Sequence, residues 1–189
     1  INLMKNNYDK DFLNKDYYNI NRKRIRNEEI KSIISNCNYS SVPKIVNCKY
    51  AFVINRSNLR TFPTKTMFID KDKDIIIDRI RLTSLTNGNP LIVLHMSKDR
   101  EWVFVQSKIY SGWIYADDIV ISEKKEDIIN FLKSKEFLIV LDSKIETEPI
   151  YVKNNSLNKI FQMGDKIPLS SFDQMKKSIK KEQLTNYTQ

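Results

Sequence analysis

Five short runs of β-branched, aliphatic and aromatic residues recur between residues 50 and 121, and polar turns separate them. The runs occupy residues 50–54, 91–96, 102–106, 112–115 and 119–121. The breaks between them are rich in Asn, Gly, Ser, Pro and charged residues, as in 87–90 and 97–101. Short strands of this composition, joined by turns at regular spacing, predict a small all-β barrel.

The residues before the first strand form a polar segment, 1–48, that is rich in Asn, Lys and Tyr. It predicts one helix at 28–35, with Asn27 as its cap, acidic residues in its first turn and an apolar stripe of isoleucines. The rest of the segment reads as an extended arm. Because such an arm cannot build a core of its own, we expect it to lie on another part of the chain.

The residues after the barrel region predict a connecting helix at 123–134, with Ser122 as cap and Ile128, Ile129 and Leu132 as its apolar stripe. A further strand-rich stretch at 136–169 resembles the opening of a second small barrel, and the basic tail at 172–189 is predicted to be helical around 174–181. The predicted organisation is a mainly β chain with an arm (1–48), a first barrel (49–122), a connecting helix (123–135) and a partial second barrel with the tail (136–189).

The chain is basic, with 32 Lys and Arg residues against 23 acidic ones, a formal net charge of +9 and a pI near 9.4. Such a charge favours anionic partners, namely nucleic acid, anionic lipid or anionic cell-wall polymers. A solubility role for the charge is the alternative. No apolar run reaches the length of a membrane span, and no signal peptide is visible. Because the chain begins with Ile1, we expect its true start to be missing or processed.

Three ordered motifs carry a resemblance to a known family. They are NLRTFPT at 58–64, LHMSKDREWVFVQS at 94–107 and YSGWIYADDI at 110–119. Together they resemble the first SH3b domain of the NlpC-type cell-wall cysteine peptidases, in which the long polar stretch 65–86 fits the first loop of an SH3 barrel. Residues 1–48 lie where this family has a clip segment, and 161–169 resemble part of its second SH3b domain.

This resemblance implies a non-catalytic region that binds peptidoglycan and positions substrate for an NlpC-type murein peptidase. Its implied partners are a peptidoglycan stem peptide or anionic wall polymer and a catalytic domain in cis, its location is the cell envelope or the extracellular space, and it needs no cofactor. The chain is expected to be a fragment of a longer enzyme. The alternatives are a free-standing protein-interaction module or a basic nucleic-acid-binding barrel, although the basic clusters at 22–26 and 176–181 lie outside the barrel.

The family's chemistry needs a cysteine, a histidine base and a residue that orients the histidine. Here His95 lies inside a barrel motif, and neither Cys37 nor Cys48 matches the family's catalytic motif. We therefore predict no catalytic residues, with an improvised Cys48–His95 dyad as the alternative. The two cysteines form a disulfide in an exported protein or stay as unpaired thiols.

No metal site is predicted either. One histidine and two cysteines without CxxC spacing do not make a zinc site. The alternating acids Asp70, Asp72 and Asp74 lack the glycine and the terminal glutamate that a calcium loop needs, and they read as a solvated loop.

Aromatic residues of the barrel and one arginine loop are the candidate ligand contacts, because aromatic grooves of small barrels bind peptides and glycans. The candidates are Arg60, Thr61, Phe62, Trp102, Tyr110, Trp113 and Tyr115. For the tryptophans the alternative is core packing, with Val103 and Val105 on one face of their strand and Trp102 and Phe104 on the other. For Arg60 the alternative is a hydrogen bond to the barrel's own backbone.

Overall fold

The computed structural model of the chain describes residues 12–71, 77–147, 150–152, 155–157 and 159–169. The helices in this part are α1 (Asn27–Asn36) and α2 (Lys125–Leu132), with 3-10 turns at Phe12–Asn14, Tyr39–Ser41 and Ala116–Asp118. The first seven strands are β1 (Lys49–Val53), β2 (Ser57–Arg60), β3 (Arg81–Leu85), β4 (Pro90–Met96), β5 (Trp102–Gln106), β6 (Ser111–Tyr115) and β7 (Ile119–Ser122). The remaining strands are β8 (Phe137–Ile139), β9 (Lys144–Glu146), β10 (Ile150–Val152), β11 (Asn155–Leu157), β12 (Ile160–Gln162) and β13 (Lys166–Pro168).

Strands β1 to β7 form one antiparallel sheet in the order β3-β2-β6-β5-β4-β1-β7. The predicted mainly β fold is confirmed, and the five predicted runs are β1, β4, β5, β6 and β7. Strands β2 and β3 were missed, because their sequences lie in stretches that read as a turn and as a polar connection. No pairing between the edge strands β3 and β7 is present in the described residues, which therefore form a curling sheet rather than a closed barrel.

Strands β5 and β6 are buried on both faces of this sheet, whereas antiparallel sheets commonly leave one face to solvent. One face is aliphatic and packs Val103 and Val105 against residues of the other strands, such as Leu59 and Leu91. The other face is aromatic, and Trp102, Phe104 and Trp113 belong to it. The predicted alternation along β5 is confirmed, and each of its faces enters a different core.

The N-terminal arm covers the aromatic face. The Phe12 ring stacks on Tyr17 at 4.6 Å between centroids and lies 5.6 Å from Phe62. The arm is also held by paired backbone hydrogen bonds between Tyr18 and Ile69, at 2.9 and 2.8 Å. The expectation that the arm lies on another part of the chain is thus confirmed, and arm and sheet share one hydrophobic core.

Helix α1 follows the arm and begins one residue earlier than predicted. Its cap is Arg26, whose backbone N–H donates to the Glu29 carboxylate at 2.8 Å, and Asn27 lies inside the helix. The Glu29 side chain therefore satisfies a backbone donor that would otherwise have no partner at the helix start. Ile30 is buried on the aromatic core, and Ile33 and Ile34 pack beside it.

Helix α2 is two residues shorter at each end than predicted, and its buried side differs. Ile128 is buried and the Phe131 ring lies 4.2 Å from that of Phe52 on β1, whereas Leu132 is half exposed. The predicted stripe was therefore wrong at Leu132, because Phe131 takes the position that faces the sheet. The predicted cap was wrong as well, because Lys124 is the cap residue, and the Ser122 hydroxyl accepts from the Lys124 backbone N–H at 3.1 Å just before the helix.

The described residues of the region predicted as a partial second barrel form nested antiparallel strand pairs. Strand β8 pairs with β13, β9 with β12, and β10 with β11, so that the described residues make one interrupted two-stranded ribbon. The ribbon is held to the sheet by Lys159, whose ammonium donates to the Ile54 carbonyl at 3.1 Å, and by Asn87, whose amide donates to the Ile160 carbonyl at 2.7 Å.

Some predictions lie outside the described residues. The basic tail at 172–189 is one, and Asp72 and Asp74 of the acidic loop are others. In the described part of the chain, no helix is long and apolar enough to cross a membrane.

The shared core makes a prediction about the arm. Ile25 is 5% exposed within the aromatic core, whereas Ile20, on the same arm, is 50% exposed. We expect Ile25→Ala to lower the free energy of unfolding by about 2–4 kcal/mol through lost burial and a residual cavity, and Ile20→Ala to change it by less than about 0.5 kcal/mol. Urea denaturation of the two variants measures the difference. Equal effects would mean that the arm does not complete the core.

Candidate functional site

An open groove of about 410 Å³ lies where α1 meets two loops of the sheet. One wall is the exposed side of α1, with Ser32, Ser35 and Asn36. The opposite wall carries Lys98 and Asp99, from the turn between β4 and β5. Ile33 and Pro63 add apolar surface to the lining. A groove of this volume is in the range of sites that take small ligands.

Asn36 joins the two walls of the groove. Its side-chain amide donates to the Asp99 carboxylate at 2.8 Å and to the Pro63 carbonyl at 3.4 Å, and its side-chain oxygen accepts from the Asp99 backbone N–H at 3.1 Å. The Asn36 backbone carbonyl also accepts from Lys98 N–H at 2.9 Å. One residue at the end of α1 therefore fixes the helix against both loops.

The Asp99 carboxylate organises the turn that forms the second wall. It accepts hydrogen bonds from the Ser97 hydroxyl at 2.5 Å and from the Glu101 backbone N–H at 2.9 Å. Burial opposes ionisation of this carboxyl, but the donors of Ser97, Glu101 and Asn36 outweigh it and lower the pKa of Asp99. Asp99 is therefore ionised at neutral pH, and both of its oxygens are already engaged within the protein.

A second feature, the Tyr115 edge, consists of the half-buried Tyr115 and the exposed Lys65. The Lys65 ammonium lies 3.7 Å from the centroid of the Tyr115 ring, a cation–π contact. The Tyr115 ring packs edge-on against the buried Trp102 at 5.5 Å. The edge is near the groove along the chain, because Lys65 is two residues after Pro63, and Tyr115 pairs with Trp102, which follows the turn that carries Lys98.

Arg60 is buried, and the structure favours its structural role. Its guanidinium lies 2.8 Å from the Asp78 carboxylate and donates to the Thr66 carbonyl at 2.8 Å. Asp78 also accepts from the backbone N–H groups of Phe68 and Ile80, at 3.1 and 3.3 Å. Burial lowers the pKa of Arg60 and the Asp78 charge acts against that effect, so the guanidinium stays charged. The pair fixes the long loop between β2 and β3.

The other predicted ligand contacts do not form one surface. Thr61, Phe62, Trp102 and Trp113 are at most 4% exposed and serve packing, so ligand contact by these four does not fit their burial. Tyr110 is exposed, but it lies in the turn after β5, at the opposite end of the β5–β6 hairpin from Tyr115. Of the predicted set, Tyr115 is the residue that lies beside the groove.

The two cysteines and the histidine lie in three different environments. Cys37 is fully buried, and burial raises the pKa of its thiol to about 11. Cys48 is exposed, and its Sγ lies 3.8 Å from the Val46 carbonyl. His95 Nε2 lies 3.2 Å from the carbonyl oxygens of both Cys37 and Asn38, to which it donates. The two cysteines are free thiols, and His95 is hydrogen-bonded to the backbone.

Sequence reasoning missed the residues that make the groove, although part of the signal was present. The predicted helix contained Asn36's neighbours, and the motif at 94–107 contained Ser97 and Asp99. Nothing in either local pattern indicates that they meet, because Asn36 and Asp99 are 63 residues apart.

Comparison with known proteins identifies the type of domain. Residues 67–115 match the family of SH3 domains of the SH3b1 type. The match spans β3 to β6 and the loop before them, within the seven-stranded sheet. No curated protein matches the sequence.

The fold of the chain is similar to that of an NlpC/P60 endopeptidase from Photobacterium damselae subsp. piscicida. The TM-score is 0.70 and the sequence identity is 22%, over 88% of this chain and 37% of that chain. At this identity the likeness shows a shared fold, and fold alone does not define activity. The chain spans well under half the length of that endopeptidase.

The buried pair Arg60–Asp78 makes a testable prediction. We expect Arg60→Met to lower the free energy of unfolding by about 3–5 kcal/mol, because it leaves the Asp78 carboxylate buried without its counter-charge. Adding Asp78→Asn should restore part of the loss, since the amide oxygen still accepts from the Phe68 and Ile80 N–H groups. Chemical denaturation measures both variants. A double variant no more stable than Arg60→Met would show that the loss is one of packing and not of charge.

The Asp99 network predicts an acid-dependent stability. The folded pKa of Asp99 is lower than its unfolded value of about 3.9. Its contribution is therefore present above that value and is lost as the pH falls through the folded pKa. Thermal melts of wild type and Asp99→Ala should differ most near pH 6 and converge as the pH falls to about 2. A gap between wild type and Asp99→Ala that stays constant with pH would contradict this role.

Proposed function

We propose that this chain is a non-catalytic region of an NlpC-type murein peptidase that binds peptidoglycan and positions substrate. The observation that carries the proposal is the coincidence of an SH3b1-type domain at 67–115 with a fold like that of an NlpC/P60 endopeptidase over 88% of the chain. Its partners in this proposal are peptidoglycan or an anionic wall polymer and a catalytic domain in cis, and its location is the cell envelope.

The state of the thiols supports a non-catalytic role. A nucleophilic cysteine needs a low thiol pKa and a base within hydrogen-bond reach. Cys37 has a raised pKa, and the Nε2 of His95 is engaged by two backbone carbonyls. Cys48 makes its described contact with a backbone carbonyl and not with an imidazole. The chain's two cysteines and single histidine are all accounted for in this way.

The surface that we propose for wall contact is the groove together with the Tyr115 edge. Tyr115 offers an apolar ring with a polar hydroxyl, which suits sugar and peptide groups. Its ring is fixed from below by the buried Trp102, so that little side-chain freedom is lost on binding. The exposed Lys65 ammonium beside it adds a positive charge, and the net charge of +9 attracts anionic polymers over longer range.

Co-sedimentation with purified peptidoglycan sacculi tests the proposal. We expect the chain to pellet with sacculi and to release no peptides from them. Tyr115→Ala should weaken binding by about fivefold or more, as loss of a contact aromatic does, whereas Tyr110→Ala, at the other end of the hairpin, should leave it unchanged. Thermal melts of both variants verify folding.

Failure of the wild-type chain to sediment with sacculi would contradict the proposal. Steeply salt-dependent binding to oligonucleotides, without binding to sacculi, would instead establish the nucleic-acid function.

A further inference from the structure

We propose that Asn87, in the turn between β3 and β4, is a site of spontaneous deamidation, and that loss of its amide nitrogen releases the ribbon from the sheet. Asn87 is followed by Gly88, and no other asparagine of the sequence precedes a glycine. Because glycine has no Cβ, its backbone nitrogen approaches the preceding side chain with the least steric hindrance. The reaction needs only water and does not depend on wall binding.

The reaction is a substitution at the Asn87 side chain. The Gly88 backbone nitrogen attacks Asn87 Cγ, so that the N–Cγ bond forms and the Cγ–Nδ2 bond breaks. Nδ2 leaves as ammonia, with the proton that the Gly88 nitrogen gives up. Water then opens the cyclic imide at either of its carbonyls, and the products are aspartate and isoaspartate. In isoaspartate the backbone runs through the side chain and is longer by one methylene group.

Asn87 joins the sheet to the ribbon through a donor that deamidation removes. Its Nδ2 donates to the Ile160 carbonyl at 2.7 Å, at the start of β12. Its Oδ1 is buried and has no hydrogen-bond partner in the part of the chain that the structure describes. An aspartate at this position places a carboxylate oxygen against the Ile160 carbonyl oxygen and a charge where Oδ1 has no donor. Deamidation therefore replaces an attraction between sheet and ribbon with a repulsion.

The turn has little room for the longer backbone of isoaspartate. The Gly88 N–H donates to the Val53 carbonyl at 2.8 Å, and the Val53 N–H donates to the Asn89 carbonyl at 3.0 Å. Gly88 has a φ of +79°, and a Cβ built on it would lie 3.0 Å from the Phe131 ring and 3.7 Å from the Lys166 carbonyl oxygen. Sheet, α2 and ribbon thus meet at this turn, and an added methylene group displaces at least one of them.

The same contacts protect Asn87 while the ribbon is attached. The Gly88 N–H donates to β1 and the Asn87 amide donates to the ribbon, so attack requires that these hydrogen bonds break. The reaction therefore proceeds through local opening. Lys159 restrains that opening, because its ammonium donates to the Ile54 carbonyl at 3.1 Å and to the Asn55 side-chain oxygen at 2.7 Å.

Peptide mapping of the full chain after incubation in mildly alkaline buffer tests the site of reaction. We expect Asn87 to gain the mass of one deamidation and to be labelled by an isoaspartyl methyltransferase. Asn89 is the matched control in the same turn, because Pro90 has no N–H with which to form the imide. Lys159→Met should raise the rate at Asn87 about two- to tenfold, the effect of losing one hydrogen bond.

A free peptide of residues 84–91 provides the reference rate for this experiment. Three results would overturn the assignment of the site: an Asn87 that stays amidated in the full chain long after the peptide has reacted completely, equal reaction at Asn87 and Asn89, or an unchanged rate in Lys159→Met.

Hydrogen exchange of Asn87→Asp measures the consequence for the ribbon. The ribbon amides of Val140 and Thr147 donate to carbonyls within the ribbon. We expect them to exchange about tenfold or more faster than in wild type, whereas the amide of Val105, in a central strand of the sheet, should keep its rate. Wild-type chain enriched in the deamidated form should show the same change.

Asn89→Asp is the matched control for this measurement. Asn89 Oδ1 accepts from the Thr86 N–H at 3.2 Å, and an aspartate oxygen accepts in the same way, so we expect no change in ribbon exchange. Unchanged ribbon exchange in Asn87→Asp would overturn the release of the ribbon. An equal acceleration at Val105 would overturn it too, because the whole fold and not the ribbon would then be opening.

Discussion

The fold depends on burying the central strands of an antiparallel sheet, β5 and β6, on both of their faces. The aliphatic face closes on itself through curling of the sheet, but the aromatic face, with Trp102, Phe104 and Trp113, needs a second layer. The N-terminal arm supplies that layer with Phe12, Tyr17 and other apolar residues, which could form no core alone. Burial of large aromatic side chains contributes the most stabilisation per residue in small domains. The arm is therefore part of the unit that folds, although its composition differs sharply from that of the strands.

The groove is a consequence of this arrangement. Because α1 is tied to the core through Ile30, its outer side is held over the β4–β5 turn, and Asn36 fixes the distance between them. The other loop of the groove is held in turn by the buried Arg60–Asp78 pair, which fixes the residues that follow β2. Buried interactions thus hold both walls, and a site with pre-positioned groups binds with less loss of conformational entropy.

The sequence predicted those features that depend on local pattern. The β-branched and aromatic runs located five strands, and the spacing of isoleucines located α1. Strand β3 was missed because Arg81–Leu85 mixes polar and apolar residues, and its place beside β2 is decided by pairing across the long loop. The role of Arg60 depended on a partner 18 residues away, Asp78, whose burial no local pattern reveals. The groove depended on contacts between segments more than 60 residues apart, and for this reason sequence reasoning chose aromatic residues that the structure buries.

The ribbon after α2 and the proposed ligand surface lie at opposite ends of β4. The ribbon meets the sheet through Ile54 and Asn87, beside the first residue of β4, and the groove lies beyond its last residue, Met96. A seven-residue strand separates the two by about 20 Å. The ribbon leaves large apolar side chains exposed, such as Leu141 and Met163, so its opening costs less free energy than opening of the sheet. Because the groove is built on the arm and the sheet alone, local opening of the ribbon leaves the ligand surface intact.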